Sequence, residues 1–239
     1  MKLVILDRDG TINADSDDYV KSPEEWQPLP GALKAIARLN HAGWHVVVAS
    51  NQSGLGRGLF DVASLNAMHA KMHKLLAAEG GRIDAVFYCP HSPDEACHCR
   101  KPQPGLFEQI GERYGVELKG VPTVGDSLRD VQAGAAVGCE PHLVLSGKGV
   151  QYRGQPLPDS FPPGTRVHED LAAFAEYLLA RAPEGLERAA EEGLRLALGV
   201  DIGSVDEVDA AVERGGVPRE TGGLGGDGHG AASDRKSVV

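Results

Sequence analysis

Short apolar runs alternate with longer stretches of mixed polarity along the first 180 or so residues. Leu3-Val4-Ile5-Leu6, Val46-Val47-Val48-Ala49 and Val121-Pro122-Thr123-Val124 are apolar runs of strand length, as expected for strands buried on both faces. The pattern predicts strands near 2–6, 45–49, 83–88, 121–124 and 142–145, and helices near 31–42, 61–79, 104–114, 128–137 and 169–181. Regular strand–helix alternation predicts an α/β fold: a doubly wound, mostly parallel sheet with helices on both faces. Only about forty residues separate the polar ends of the first two strands, and about fifty lead from there to Lys101, so ordinary element and loop lengths leave no room for a cap domain.

The chemistry-bearing residues stand where these runs stop. The first run leads into Asp7-Arg8-Asp9-Gly10-Thr11-Ile12-Asn13. Two aspartates one residue apart suit phosphoryl transfer, one attacking phosphorus and the other handling a proton beside a divalent cation; an acidic turn is the plainer alternative. The second run ends in Ser50-Asn51-Gln52-Ser53-Gly54, either an anion cradle of hydroxyl, amide and backbone donors or a polar turn. Arg100-Lys101-Pro102 stands just before a predicted helix, where a cation can neutralise phosphate or merely be solvated. The run Val121-Pro122-Thr123-Val124 leads into Gly125-Asp126-Ser127-Leu128-Arg129-Asp130. With a helix starting near Ser127, Asp126 lies at its mouth and Asp130 one turn on, sharing a task or serving as a cap and a surface residue.

Three of the four cysteines cluster with a histidine between Cys89 and Cys99, spaced Cys-x-His, five residues, Cys-x-Cys. Cys89, His91, Cys97 and Cys99 at that spacing suit a closed tetrahedral zinc site, structural rather than catalytic. A disulfide or plain surface cysteines are the alternatives. No secretory signal precedes the first strand, so a reducing cytosol is expected, which favours the metal. His98, between two ligands, is expected to point elsewhere, and Cys139 to be a small buried hydrophobe.

Taken in order, these segments resemble the haloacid-dehalogenase phosphatase superfamily over roughly residues 1–180. Within it, Asp7 to Asn13, Asn51 to Gly54, Cys89-Pro90-His91 and Cys99 to Pro102 resemble a narrow branch that holds heptose-1,7-bisphosphate 7-phosphatases and histidinol-phosphate phosphatases. Ser53 and Gly56-Arg57-Gly58 are similar to the heptose enzymes, and serine with arginine suits a second phosphate better than an amine. Ser127 departs from the lysine usual in the better-known heptose enzymes.

The resemblance implies a cytoplasmic, capless, Mg²⁺-dependent phosphoric monoester hydrolase. Its substrate would be D-glycero-D-manno-heptose 1,7-bisphosphate, cleaved through an aspartyl-phosphate on the route to ADP-heptose and the lipopolysaccharide core. Asp7 would be the nucleophile and Asp9 the acid/base. Ser50 and Lys101 would stabilise the transferring group, with Asp130 supporting Lys101. Asp7, the backbone carbonyl of Asp9, and Asp126 would hold Mg²⁺. Asp15, Asp18, Tyr19, Asn51, Gln52, Ser53, Arg57 and Arg100 would meet the sugar and its other phosphate. A histidinol-phosphate phosphatase is the alternative of the same chemistry; a catalytically silent zinc-bearing module is the alternative of another class.

The formal charge is −10, and no basic stripe is present, so a nucleic-acid partner is not expected. No apolar stretch is long enough to span a bilayer, and a monomer is expected. Beyond residue 182 the character changes. Residues 183–239 hold twelve of the 31 glycines, twelve acidic and six basic residues, and no aromatic. A short helix is allowed near 184–198. The rest reads as a disordered tail or a sequence artefact, since the final Asp234 to Val239 matches one frame of a common sequencing-adapter DNA.

Overall fold

A computed structural model describes residues 1–181 of the 239. The tail expected over 183–239, and the helix near 184–198, lie outside the described residues. In chain order the elements are β1 (Leu3–Leu6), α1 (Ala32–His41), β2 (His45–Asn51), α2 (Ser53–Gly56), α3 (Val62–Ala78), β3 (Ala85–Cys89), α4 (Gly105–Tyr114), β4 (Pro122–Gly125), α5 (Leu128–Ala136), β5 (Glu140–Val144), β6 (Arg166–His168) and α6 (Leu171–Arg181). A 3₁₀ turn, Gly147–Tyr152, lies between β5 and β6.

The six strands form one sheet, ordered β3-β2-β1-β4-β5-β6, with every neighbouring pair parallel. Successive strand side chains point to opposite faces, so each apolar run feeds two cores. Val4, Leu6, Val46 and Val48 pack with Ile36 and Leu39 of α1, Leu65, Met68 and Met72 of α3, and Phe174 of α6. Leu3, Ile5, Val47 and Ala49 pack on the other face with Leu106, Phe107 and Ile110 of α4 and Ala133 of α5. Cys139 is buried in this second core.

Three elements depart from the sequence pattern. β2 runs on through Ser50 and Asn51, pairing Asn51 with Cys89 at the end of β3. α2 is a single turn of Ser-Gly-Leu-Gly, a composition with almost no helical propensity, placed there by its neighbours. β6 has only three residues and two of them are exposed, so it shows no apolar run. No cap domain is inserted among the described residues. The segment between β1 and α1 carries only isolated bridges, Asp9 with Asn13 and Asn13 with Pro28.

Candidate active site and zinc loop

The strand order reverses between β1 and β4, and in open α/β sheets the crevice at such a point takes the ligand. Asp7 directly follows β1 and is tied to β4 by its backbone N–H, which donates to the Val124 carbonyl at 2.8 Å. Asp126 directly follows β4. Between them opens a cleft of ≈ 280 Å³ lined by Asp7, Asp9, Ser50, Lys101, Asp126 and Asp130, among others.

Lys101 is the hub. Its side chain is buried at 2% exposure, with Nζ 2.8 Å from Asp7 Oδ1 and 2.5 Å from Asp130 Oδ1, and it also donates to the Ala49 carbonyl at 2.7 Å. Asn51 fixes the lysine's backbone from both sides: its Nδ2 donates to the Lys101 carbonyl and its Oδ1 accepts from the Lys101 N–H. Asp130 is held by the cap of α5, where its Oδ2 accepts from the Ser127 N–H at 3.0 Å and from the Ser127 hydroxyl at 2.6 Å. Its other oxygen is thus left for Lys101. Burial opposes the charge on Lys101, but Asp130 and Asp7 outweigh it and hold the ammonium above its ordinary range.

The carboxylate oxygens of Asp7, Asp126 and Asp130 lie within 4.8 Å of one another. Burial, then the negative charge of Asp130, pushes Asp7 up to about 7. Burial, then Asp130 and Asp7, pushes Asp126 up to about 8. Such crowding of hard oxygens is what a divalent cation relieves, and Mg²⁺ takes such ligands. Gly10 and Gly147 make space for it: a Cβ at either would come within 2.0 Å and 2.2 Å of Asp126 Oδ2. Since Asp130 is spent on Lys101 and the cap, Asp7 and Asp126 are the carboxylates that fit Mg²⁺.

Asp9 has a separate cage. The fully buried Arg8 donates to it through Nε at 3.1 Å and Nη2 at 3.0 Å. Asn13 Nδ2 and Gln52 Nε2 donate at 2.9 and 2.8 Å. Burial alone would raise this carboxyl, but Arg8 and these donors hold it below the usual carboxylate range. Gln52 also donates to Ser50 Oγ at 2.8 Å and accepts from Arg8 at 3.1 Å.

At the carboxyl end of β3, Cys89, His91, Cys97 and Cys99 bring their ligand atoms within 4.8 Å of one another. All four cysteines of the chain are free thiols, so no disulfide forms. A tetrahedron with Zn–S bonds of ≈ 2.3 Å has edges of about 3.8 Å, and Cys89 Sγ lies 3.7 Å from Cys97 Sγ and 3.5 Å from His91 Nδ1. The residues present therefore fit zinc. His98 turns away, to Glu108 at 2.6 Å.

A family model described as HAD-hydrolase-like matches residues 98–174, and one described as polynucleotide kinase 3 phosphatase matches residues 2–129. Among curated proteins, the D-glycero-β-D-manno-heptose-1,7-bisphosphate 7-phosphatase of Bordetella bronchiseptica is 61% identical over 182 residues, 76% of this chain and 100% of that protein. The Pseudomonas aeruginosa protein of the same name is 55% identical over 74% of this chain and 97% of its own length. The chain belongs to the haloacid-dehalogenase-like phosphatases. A crystal structure of the B. bronchiseptica D,D-heptose 1,7-bisphosphate phosphatase, complexed with magnesium and phosphate, superposes with a TM-score of 0.73 over 76% of this chain and all of the other.

Of the eight residues expected at the substrate, six line the cleft and two do not. Asp15, Tyr19, Asn51, Gln52, Ser53 and Arg100 line the cleft; Asp18 and Arg57 are not among its lining residues, whereas Ser16 and Asp17 are. Arg57 instead stands 6.0 Å from the centre of the Tyr19 ring, because the turn of α2 carries it out toward that side chain. Tyr19 itself has a left-handed backbone, φ 66°. The amides of Asn51 and Gln52 are already committed to Lys101, Asp9, Ser50 and Arg8. Asp15 pairs with Lys148 at 3.0 Å. Sequence reasoning missed Arg8, Arg129 and Lys148. Lys148 had a signal, since it follows β5 at the same carboxyl edge as the other site residues.

Proposed function

We propose that this protein removes the 7-phosphate from D-glycero-β-D-manno-heptose 1,7-bisphosphate, as its relatives' names state for them, on the route to ADP-heptose. The observation that carries this reading is 61% identity across the whole of one such enzyme, joined to a cleft in which Asp7, Lys101 and Asp126 converge. No described helix is long and apolar enough to cross a membrane. Four uncrosslinked cysteines favour a reducing compartment, and we place the enzyme in the cytoplasm as a monomer.

Asp7 attacks the phosphorus, and the bond from phosphorus to the sugar oxygen breaks. Asp9 supplies the proton that the leaving oxygen needs, then takes one from the water that releases phosphate from Asp7. Arg8 keeps Asp9 a carboxylate in the free site; Asp9 takes the proton it donates from solvent as the substrate dianion binds, and the proton it removes from the attacking water returns to solvent when phosphate leaves. Lys101 and Ser50 offset charge on the transferring group. Asp7, Asp126 and the Asp9 carbonyl would hold Mg²⁺, which would supply positive charge against the phosphate oxygens. Cys89, His91, Cys97 and Cys99 would hold a structural zinc, which would fix the loop leading into Arg100 and Lys101.

Phosphate release from the β and α anomers of the bisphosphate and from histidinol phosphate, with Mg²⁺ and with EDTA, tests the reading. The β-bisphosphate should turn over fastest, and only with Mg²⁺. Equal or faster release from histidinol phosphate would overturn it.

A further inference from the structure

Arg8 is a fully buried guanidinium, and a charge taken out of water needs its N–H groups met by acceptors. Nε and Nη2 hold the Asp9 carboxylate, and Nη2 also reaches Gln52. Nη1 has one hydrogen-bond partner among the described residues, His69 of α3, whose Nε2 lies 3.4 Å away. The imidazole is half-buried, with its ring centre 6.4 Å from that of Tyr88 in β3. Burial, then the Arg8 charge, pushes His69 down to about 4. Near pH 7 the ring is therefore neutral, and one of its nitrogens carries a free lone pair. Such a ring can accept from Arg8 without adding a second positive charge.

The helix that carries His69 is well anchored. Leu65, Met68 and Met72 sink into the core, and Lys71 Nζ donates to the Pro23 and Trp26 carbonyls at 2.6 and 2.7 Å. α3 thus grips the segment after β1 twice, at Arg8 and again near Trp26. Without a partner for Nη1, the Arg8 side chain would be free to shift, and the carboxylate it grips through Nε and Nη2 would shift with it. We infer that His69 is a positioning residue: through Arg8 it holds the Asp9 carboxyl where the leaving sugar oxygen takes its proton. This rests on the acid role proposed above for Asp9.

The test uses the leaving group. A sugar alkoxide needs a proton as it departs, whereas p-nitrophenolate leaves without one, and kcat/KM covers the steps up to that departure. His69→Leu, His69→Gln and Asp9→Asn are compared with wild type on the β-heptose 1,7-bisphosphate and on p-nitrophenyl phosphate, with the thermal midpoint as fold control. His69→Leu should cut kcat/KM for the sugar ester by roughly 10-fold, a part of what acid–base catalysis supplies, and change it by less than about 2-fold for the aryl ester. His69→Gln, which keeps an acceptor, should recover most of the loss. An equal fall on both esters, or no fall on the sugar ester, overturns the role of His69. If Asp9→Asn also falls equally on both, the acid role of Asp9 is overturned, and this assignment with it. A wild type that prefers histidinol phosphate overturns the substrate reading alone, since the contrast is then read on that alkyl ester.

Discussion

Arg8 and Asp9 are neighbours in the chain, yet their side chains face the same way, with Arg8 Nη2 3.0 Å from both carboxylate oxygens of Asp9. Strand neighbours point to opposite faces; here the strand has ended, and the turn through Gly10, whose φ is +82°, folds the loop back. Gln52 ties this pair to β2. Loss of the Gln52 amide should free Asp9 to rotate, so Gln52→Ala should lower kcat by roughly 10-fold, less than the 10²–10⁴ that general acid–base catalysis contributes in total. KM should move little. A variant with wild-type kcat would show that Asp9 does not depend on this cage.

Lys101 and Asp130 form a buried ion pair, and the two should be energetically inseparable. Asp130→Asn leaves the ammonium with Asp7 alone and should destabilise the protein by about 3 kcal/mol, as breaking a buried pair does. Urea unfolding of Asp130→Asn, Lys101→Met and the double variant measures this. The double variant should be less destabilised than the sum of the singles. Simple additivity would mean that the pair carries no coupling.

The zinc loop should be needed for stability and for the placement of Lys101, not for chemistry. Cys97→Ser should lose zinc, lower the thermal midpoint and reduce kcat/KM, because Lys101 lies two residues beyond Cys99. Asp126→Asn should instead keep zinc and a near-native midpoint while losing Mg²⁺-dependent turnover. Metal content by elemental analysis, beside activity, separates the two. A zinc-free Cys97→Ser protein with full activity would refute the positioning role.

What could be read from the sequence was whatever depends on local runs. Asp7 and Asp126 end apolar strands, and parallel strands bring such ends to one edge, so their meeting followed from topology. The zinc ligands followed from short spacing. Contacts made by loops and rotamers were hidden. Nothing in the spacing reveals that Gln52, 44 residues from Arg8, spends its amide on Asp9 rather than on a sugar. Arg57 is close in sequence to Ser53, but nothing in the spacing reveals that one helical turn sets it against the cleft-lining Tyr19. Arg129 sits beside a recognisable motif residue but carries no pattern of its own. β6 escaped notice because a three-residue edge strand with exposed side chains has no apolar signature.

His142 gives a prediction about acid stability. Its ring is fully buried in β5, with Nδ1 2.9 Å from His168 Nε2. Phe174 and Tyr177 pack against it, and its Nε2 has no hydrogen-bond partner, with Glu140 only at 3.9 Å. Burial, then the neighbouring His168, pushes His142 down to about 3 from an ordinary 6.5. Below about pH 6.5 the unfolded chain therefore takes up a proton that the folded chain refuses until about pH 3. Stability tied to this residue is complete above that window and falls as the pH drops through it. His142→Phe removes the titration and keeps an aromatic ring beside Phe174. Urea midpoints at pH 7.5 and 5.0 should converge more for the variant than for wild type, since the other titrating groups are common to both. Equal acid losses in the two proteins would show that His142 is not the group that resists protonation.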